Sequence, residues 1–229
     1  MPFPDVYRDR VYENEGVPAL VELVDPSLRR VVDLGCGAGA NLRLLRERGH
    51  EVTGITLSEK EAAIVRNRGM ACLVCDIVRE GIPLLDASAD ALVFSHVLEH
   101  LEQPAEVLRR SLRLLRPGGG VYAAFPNALQ FRQRWEFLRG RFRYTETGIM
   151  DRTHLRFFDF QSARELLEGC GVRVTVHEAV GHFPLGPLRP IAGRFAGRLD
   201  SFAPRRWPGL FGFHVLVAGT WHPGSGPPA

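Results

Sequence analysis

The fold of this chain is decided by the stretch Val31-Val32-Asp33-Leu34-Gly35-Cys36-Gly37-Ala38-Gly39-Ala40-Asn41. Its apolar start predicts a short buried strand, and the leucines that follow predict a helix over 41–48. The glycines between them allow a tight turn and a close approach of the backbone to a ligand, because glycine has no Cβ and tolerates positive φ. A strand, a glycine turn and a helix in this order indicate a loop that binds a nucleotide-like ligand.

Two kinds of ligand suit such a loop, and Asp33 distinguishes between them. The spacing Gly35-x-Gly37-x-x-Ala40 fits the dinucleotide fingerprint, in which a diphosphate lies at the helix N-terminus. A carboxylate beside the turn repels a diphosphate and suits a cationic amino group, so Asp33 favours a methionine-like ligand. The simpler alternative is that Asp33 only caps the turn through backbone N–H groups.

The run Asp33-Leu34-Gly35-Cys36-Gly37-Ala38-Gly39 resembles the first motif of class I S-adenosylmethionine (SAM)-dependent methyltransferases. Four further motifs follow in that family's order: Asp76 after a predicted strand, Asp90 before one, Glu99-His100-Leu101, and Pro117-Gly118-Gly119. Each motif is weak alone, but the ordered set is specific. The resemblance implies an α/β fold with a Rossmann-like, doubly wound sheet of seven strands, mostly parallel with an antiparallel terminal strand.

The resemblance also implies SAM as the cofactor, with Asp33 near its amino acid part. Gly54-Ile55-Thr56-Leu57-Ser58 ends the second predicted strand without the family's usual acid. It is similar to the variant in cyclopropane-fatty-acid-synthase-like enzymes, where a glutamine five positions after the threonine reaches the ribose. Glu61 occupies that position here and is the predicted ribose acceptor; the alternative is a solvent-facing helix charge.

For the adenine, the resemblance implies a hydrogen bond to Asp76 and packing against Ile77. The complete set of predicted cofactor-binding residues is Asp33, Gly35, Cys36, Gly37, Thr56, Leu57, Glu61, Asp76, Ile77, Ser95 and His96.

Three histidines, His96, His100 and His154, are the catalytic candidates. A hydroxyl acceptor must lose its proton when it is methylated, and histidine is the usual base. For His154 the alternative is a structural hydrogen bond.

A metal ion is a competing interpretation, because His96, Glu99 and His100 share one helix face and suit divalent ions. The related RNA 3′-terminal 2′-O-methyltransferases hold a metal near this place. This chain has His96 where that group has its first glutamate, so no metal is predicted.

Residues 127–158 are predicted to form a lid over the cleft. Its Pro126-Asn127 start, the Trp/Phe/Leu-rich part over 135–142 and the block Thr153-His154-Leu155-Arg156-Phe157-Phe158 resemble the methionine-biosynthesis-W-like subgroup of methyltransferases. The segment is also rich in arginine and aromatic residues. Because arginine holds anions and aromatic rings stack on flat or sugar-like molecules, the lid predicts O-methylation of a small sugar-containing or anionic metabolite. The predicted acceptor-binding residues are Asn127, Arg152, His154 and Arg156.

Three other functions remain open at this stage: a non-catalytic SAM-binding partner protein, an RNA-end 2′-O-methyltransferase and a dinucleotide oxidoreductase. Asp33 and Asp76 disfavour the oxidoreductase. No residue of the sequence excludes the non-catalytic partner protein, whereas the RNA-end alternative lacks that group's first glutamate, which is His96 here.

All 229 residues are predicted to form one domain, which includes the remaining segments. Residues 1–29 are predicted to form a helical segment at one edge of the domain, whose Tyr7 and Tyr12 either line the pocket or pack internally. The segment 181–212 is predicted to be a cap or an oligomer contact, for instance in a homodimer, and to contain a helix over 191–202. The tail after residue 222 is predicted to be disordered.

Composition sets mild limits on partners and location. The net charge is +3, from 29 Lys and Arg against 26 Asp and Glu. That balance does not require nucleic acid or a membrane, so a small-molecule acceptor is the expected partner. Cys72 and Cys75 lie in an apolar run and are predicted to be buried core residues, which fits a reducing cytoplasm. The sequence shows no signal peptide and no apolar run of membrane-spanning length.

Overall fold

The computed structural model describes residues 11–12, 14–186 and 189–224, except for the side chain of Ala192. In this part of the chain, seven strands form one sheet. The strands are β1 (Arg30–Leu34), β2 (Glu51–Thr56), β3 (Ala71–Val74), β4 (Ala89–Ser95), β5 (Leu115–Pro126), β6 (Val172–Gly181) and β7 (Gly212–Trp221). Their order across the sheet is β3-β2-β1-β4-β5-β7-β6.

The helices occupy the connections between these strands. They are α1 (Pro18–Leu23), α2 (Ala40–Glu47), α3 (Glu59–Asn67), α4 (Pro104–Ser111), α5 (Phe131–Leu138), α6 (Phe160–Glu168), α7 (Arg189–Arg206) and α8 (Pro208–Phe211). Two short 3₁₀ turns, Leu98–His100 and Leu112–Leu114, precede and follow α4.

The pairing of the strands confirms the predicted sheet. β1 runs parallel to β2 and β4, while β7 is antiparallel to both β5 and β6. The residues of β4 from Ala91 to Phe94 are fully buried, as expected for a central strand that is covered by helices on both faces. This architecture is the doubly wound α/β fold that the sequence predicted.

Local sequence signals fix several helix starts. The side chain of Ser58 caps α3 by accepting from the N–H of Glu61. Asp159 and Ser162 form a reciprocal capping box at the start of α6. The start of α3 therefore brings Glu61 to the end of β2.

Two element boundaries differ from the sequence-based prediction. β5 already begins at Leu115, and the Pro-Gly-Gly turn is a bulge inside it, since the pairing jumps from Leu115 opposite Ala89 to Gly120 opposite Ala91. The helix expected over 191–202 extends over Arg189–Arg206 and is broken at Gly193, whose φ of 48° is not helical.

The edge of the sheet and the chain ends complete the fold. In α1, Leu20 and Val21 are buried in a core cluster that also includes Val31 of β1. Residues 1–10, with Tyr7, and 225–229 lie outside the described residues, so the expectations for them stay predictions. Cys72 and Cys75 are buried free thiols, as predicted. None of the described helices is long and apolar enough to cross a membrane.

Candidate active site

A cleft of about 730 Å³ lies at the carboxyl ends of the parallel strands. In an open α/β sheet this edge is where ligands bind. Ten of the eleven predicted cofactor-binding residues line the cleft, and the eleventh, Asp33, is buried at the end of β1 below the glycine turn. The predicted residues therefore converge on one place. Further lining residues from the lid segment and β7 include Ile149, His154, Leu155, Phe213 and His214.

Asp33 is the most unusual group of the glycine loop. Its side chain is fully buried, and neither carboxylate oxygen has a hydrogen-bond partner within the described residues. Burial raises the pKa of this carboxyl to about 7. Asp33 thus does not cap the turn, and its unsatisfied oxygens require a donor from outside the described chain.

Two glycines of the turn pack closely against neighbouring protein atoms. A Cβ at Gly35 would lie 2.3 Å from Cγ2 of Val97, and one at Gly37 would lie 3.1 Å from the carbonyl oxygen of Tyr12. Both glycines also have positive φ. The turn therefore requires glycine at both positions, and its close approach to a ligand stays a prediction.

Glu61 lies at the start of α3, with its carboxylate in the cleft wall. One oxygen, Oε1, accepts from the N–H of Tyr12 at 2.8 Å, and Oε2 accepts from the hydroxyl of Thr56. The side chain is buried. These contacts exclude the solvent-facing alternative for Glu61 and place Tyr12 in the cleft wall rather than in internal packing alone.

Asp76 follows β3 and shapes the adjacent turn. Its Oδ1 accepts from the N–H groups of Val78 and Arg79, at 3.0 and 3.1 Å. Ile77 lines the cleft beside it. Asp76 therefore has one carboxylate oxygen committed to the turn and presents a buried acid next to an apolar surface.

The catalytic candidate His96 lies at the end of β4 with a φ of 55°, a conformation that non-glycine residues rarely adopt. Its Nδ1 is 3.2 Å from Oε1 of Glu99, while its Nε2 is buried without a partner among the described residues. Burial alone would raise the pKa of Glu99, but the hydrogen bond and charge of His96 and the charge of His100 hold it below its ordinary value. Glu99 is therefore an ionised carboxylate, and it orients the imidazole of His96.

The other two histidines form a pair. The rings of His100 and His154 meet edge to face, with centroids 4.7 Å apart. Nδ1 of His100 is 3.2 Å from the carbonyl oxygen of Thr153, and Nδ1 of His154 is 2.9 Å from that of Ile149. Burial lowers the pKa of His100, which keeps its imidazole neutral near pH 7.

The structure does not bring the other predicted acceptor-binding residues to the cleft. Asn127 is fully buried, and its amide donates to the carbonyl oxygen of Gly212, which joins β5 to β7. Arg152 pairs with the exposed Glu146. The guanidinium of Arg156 donates to the carbonyl oxygen of Glu102. These three side chains fasten the lid or the sheet instead.

Two larger segments also differ from their expected roles. Of the predicted lid, six residues line the cleft, whereas Trp135 and Leu138 of α5 are exposed. The six are Thr147, Gly148, Ile149, Asp151, His154 and Leu155. No described residue of 181–212 lines the cleft, so this segment is not a cap over it in the described structure. His214 was missed because only the antiparallel return of β7 beside β5 brings it to His96, with ring centroids 4.8 Å apart.

Comparison with known proteins agrees with this geometry. Residues 32–123 match the family described as a methyltransferase domain. A protein of Mycolicibacterium smegmatis, named as a probable S-adenosylmethionine-dependent methyltransferase, is 30% identical over 171 residues, which cover 75% of this chain and 62% of that protein. A ubiquinone biosynthesis O-methyltransferase of Bordetella pertussis is 34% identical over 100 residues, 41% of each chain. This chain thus spans less than two thirds of both relatives.

A solved structure shares the architecture. The crystal structure of a SAM-dependent methyltransferase from Archaeoglobus fulgidus aligns with a TM-score of 0.62 at 21% identity, covering 85% of this chain and 87% of that one. This chain therefore shares the fold of that solved structure. Within the fold, residues 32–123 match a methyltransferase domain, which agrees with the resemblance of the glycine-loop motif.

The residues present fit SAM. The buried, unpartnered oxygens of Asp33 suit its cationic amino group. Gly35, Gly37, Glu61 and Asp76 line the same cleft, and the two carboxylates can accept hydrogen bonds from hydroxyl and amino groups.

Proposed function

We propose that this protein transfers a methyl group from SAM to a hydroxyl oxygen of a small acceptor. When bound, SAM supplies an electrophilic methyl group on a positively charged sulfur. The observation that carries the proposal is that one cleft joins the SAM-fitting residues to His96, whose imidazole is oriented by Glu99. The relatives named as ubiquinone biosynthesis O-methyltransferases support transfer to oxygen.

In this proposal the chain binds and orients the cofactor through four groups. Asp33 holds the amino group, Gly37 the adjacent backbone contact, Glu61 the ribose hydroxyls and Asp76 the adenine amino group. Such positioning fixes the donor in line with the acceptor and supplies much of the barrier reduction in methyl transfer.

His96 is the proposed general base. Its Nδ1 faces the carboxylate of Glu99, so Nε2 is left to take the proton of the acceptor hydroxyl. The carboxylate then stabilises the imidazolium that forms, in the same way as the acid of a catalytic triad does. His100 and His154 have their Nδ1 atoms on backbone carbonyls instead. We therefore assign His100 and His154 to the acceptor side of the cleft and do not assign either of them as the general base.

The cleft wall also narrows the acceptor class. None of the arginines of the lid lines the cleft, which removes the support for an anionic group held by Arg152 or Arg156. Beside the histidines lie apolar side chains, among them Ile149, Leu155 and Phe213. We propose an acceptor with a flat, largely apolar body and a hydroxyl group, such as a phenol, in preference to a sugar.

Methyl transfer from isotopically labelled SAM to a panel of catechols, phenolic acids, simple glycosides and a short RNA tests this proposal. Formation of S-adenosylhomocysteine (SAH) together with an O-methylated phenol supports it. His96→Gln should then lower kcat by about 10²–10⁴-fold, a loss far larger than the change in the Kd for SAH. Labelled RNA would favour the RNA-end alternative, and SAM binding without transfer to any acceptor would favour a non-catalytic partner protein.

A further inference from the structure

Glu99, His100 and His154 form a compact cluster on the acceptor side of the cleft. Each offers one ligand atom, and these atoms all lie within 4.8 Å of one another. Glu99 is fully buried and His154 is 8% exposed, yet both border the cleft. One carboxylate and two imidazoles are a donor set that suits divalent transition-metal ions.

Backbone carbonyls fix the tautomers of both histidines. Because a carbonyl oxygen only accepts hydrogen bonds, Nδ1 of His154, 2.9 Å from the oxygen of Ile149, carries the proton. Nδ1 of His100 is placed in the same way, 3.2 Å from the oxygen of Thr153. In a neutral ring the lone pair is then on Nε2. Metal-binding histidines are oriented by second partners in this manner.

Glu99 supplies the independent observation. Its Oε1 faces Nδ1 of His96, but Oε2 is buried and has no partner in the described part of the chain. A buried carboxylate oxygen without a donor is costly unless a cation or donor satisfies it. His100 and His154 each place a ring nitrogen within 4.8 Å of a carboxylate oxygen of Glu99.

We propose that Glu99, His100 and His154 bind one divalent transition-metal ion. His96 lies outside the ligand set and orients the carboxylate from its other oxygen. The sequence predicted no metal because His96 replaces an acid, but this ligand set does not need an acid at that position. The three ligands come from two segments of the chain: the turn that contains Glu99 and His100, and the lid segment that contains His154. The N–H groups of Leu155 and Arg156 donate to the carbonyl oxygen of Glu99, both at 2.9 Å, and so join the lid to that turn.

Three protein ligands leave coordination positions for water or for an oxygen of a bound molecule. Since the cluster borders the cleft, the metal would hold the acceptor hydroxyl beside His96. It would also lower the pKa of that hydroxyl. Only this last step rests on the proposed function; metal binding itself does not depend on methyl transfer.

Titration of the full-length, chelator-treated protein with Co²⁺ tests the site, because visible d–d absorption reports coordination without any activity assay. We expect one Co²⁺ per chain. Glu99→Gln and His154→Asn, which keep similar side-chain volumes, should each weaken Co²⁺ binding by more than about 100-fold. The matched control is His177→Gln, which removes a histidine of β6 that hydrogen-bonds the carbonyl oxygen of Phe160 and does not line the cleft.

Folding of each variant is checked by circular dichroism and by its Kd for SAH, so that loss of cobalt is not confused with loss of structure. If Glu99→Gln does not fold, His154→Asn in the lid gives the answer alone. Absence of saturable Co²⁺ binding, or unchanged binding in a folded His154→Asn variant, overturns the proposal.

An intense thiolate-to-cobalt charge-transfer band also overturns it, because Cys36 and Cys72, with Sγ atoms 3.8 Å apart, would then be the ligands. None of these outcomes depends on methyltransferase activity.

Discussion

The backbone N–H of Tyr12 donates a 2.8 Å hydrogen bond to Oε1 of Glu61, which lies 49 residues further along the chain. The same carboxylate accepts from the hydroxyl of Thr56 at the end of β2. Three separate segments therefore meet at one acid in the cleft wall. Because each contact restricts the carboxylate, Glu61 is positioned before any ligand binds.

Replacement of Glu61 tests its assignment to the ribose. Glu61→Ala removes the acceptor for buried donors, so the binding free energy of SAH should weaken by about 1–3 kcal/mol, as measured by isothermal titration calorimetry. Glu59→Ala is the control, since Glu59 is exposed on the first turn of the same helix and pairs only with Arg66 in the described contacts. Equal affinities of wild type and Glu61→Ala would move the ribose contact to Thr56 or Ser58.

The glycine turn gives a second test with a matched control. Gly37→Val places a side chain 3.1 Å from the Tyr12 carbonyl oxygen and 3.8 Å from Oε1 of Glu61, so SAH affinity should fall by more than about tenfold. Gly49→Val introduces the same residue at another positive φ, but nothing lies within 4 Å of its Cβ. Both variants should lose about 1–2 kcal/mol of unfolding free energy from backbone strain. Only Gly37→Val should lose affinity; parallel losses would locate the ligand elsewhere.

The sequence predicted the sheet and the cofactor side well because their signals are local. The strand, glycines and helix of 31–48 are contiguous, and Asp76 and Glu61 lie at fixed offsets from strand ends. The acceptor side depends on long-range packing. Nothing near Arg156 in the sequence indicates that its guanidinium binds the Glu102 carbonyl oxygen, and His214 reaches His96 only through the antiparallel β7. The arginine content of the lid therefore led to a wrong prediction of which side chains line the acceptor side of the cleft.

Asp33 should make cofactor binding depend on pH. The pKa of the free protein's Asp33 is raised to about 7 by burial, so near neutral pH the carboxyl is partly protonated. A cationic amino group binds the ionised form, and SAH affinity should therefore rise as pH increases through about 7, approaching tenfold per unit below the pKa. Proton release follows from the same linkage and is measured by calorimetry in buffers of different ionisation enthalpy. Asp33→Asn should bind more weakly with a flat profile; a wild-type slope in that variant would remove Asp33 from the linkage.

His214 should make the stability of the protein fall in acid. Burial, followed by the charge of His96, lowers the pKa of His214 to about 4, whereas Glu99 opposes the shift. A histidine in the unfolded chain titrates near 6.5, so between about 6.5 and 4 the unfolded state binds more protons. The contribution of neutral His214 is thus fully present above about 6.5 and is lost as pH falls to 4, by roughly 3 kcal/mol of unfolding free energy.

Asp33 acts with the opposite sign, which allows the two groups to be separated. Its raised pKa means that the folded state binds the extra proton, so the Asp33 contribution to the unfolding free energy grows as pH falls from about 7 towards 3.8. Urea unfolding of wild type, His214→Gln and Asp33→Asn at several pH values isolates each contribution by difference. His214→Gln should lose less stability in acid than wild type, and Asp33→Asn should lose more. If both variants follow the wild-type profile, neither shifted pKa governs the stability of the folded protein.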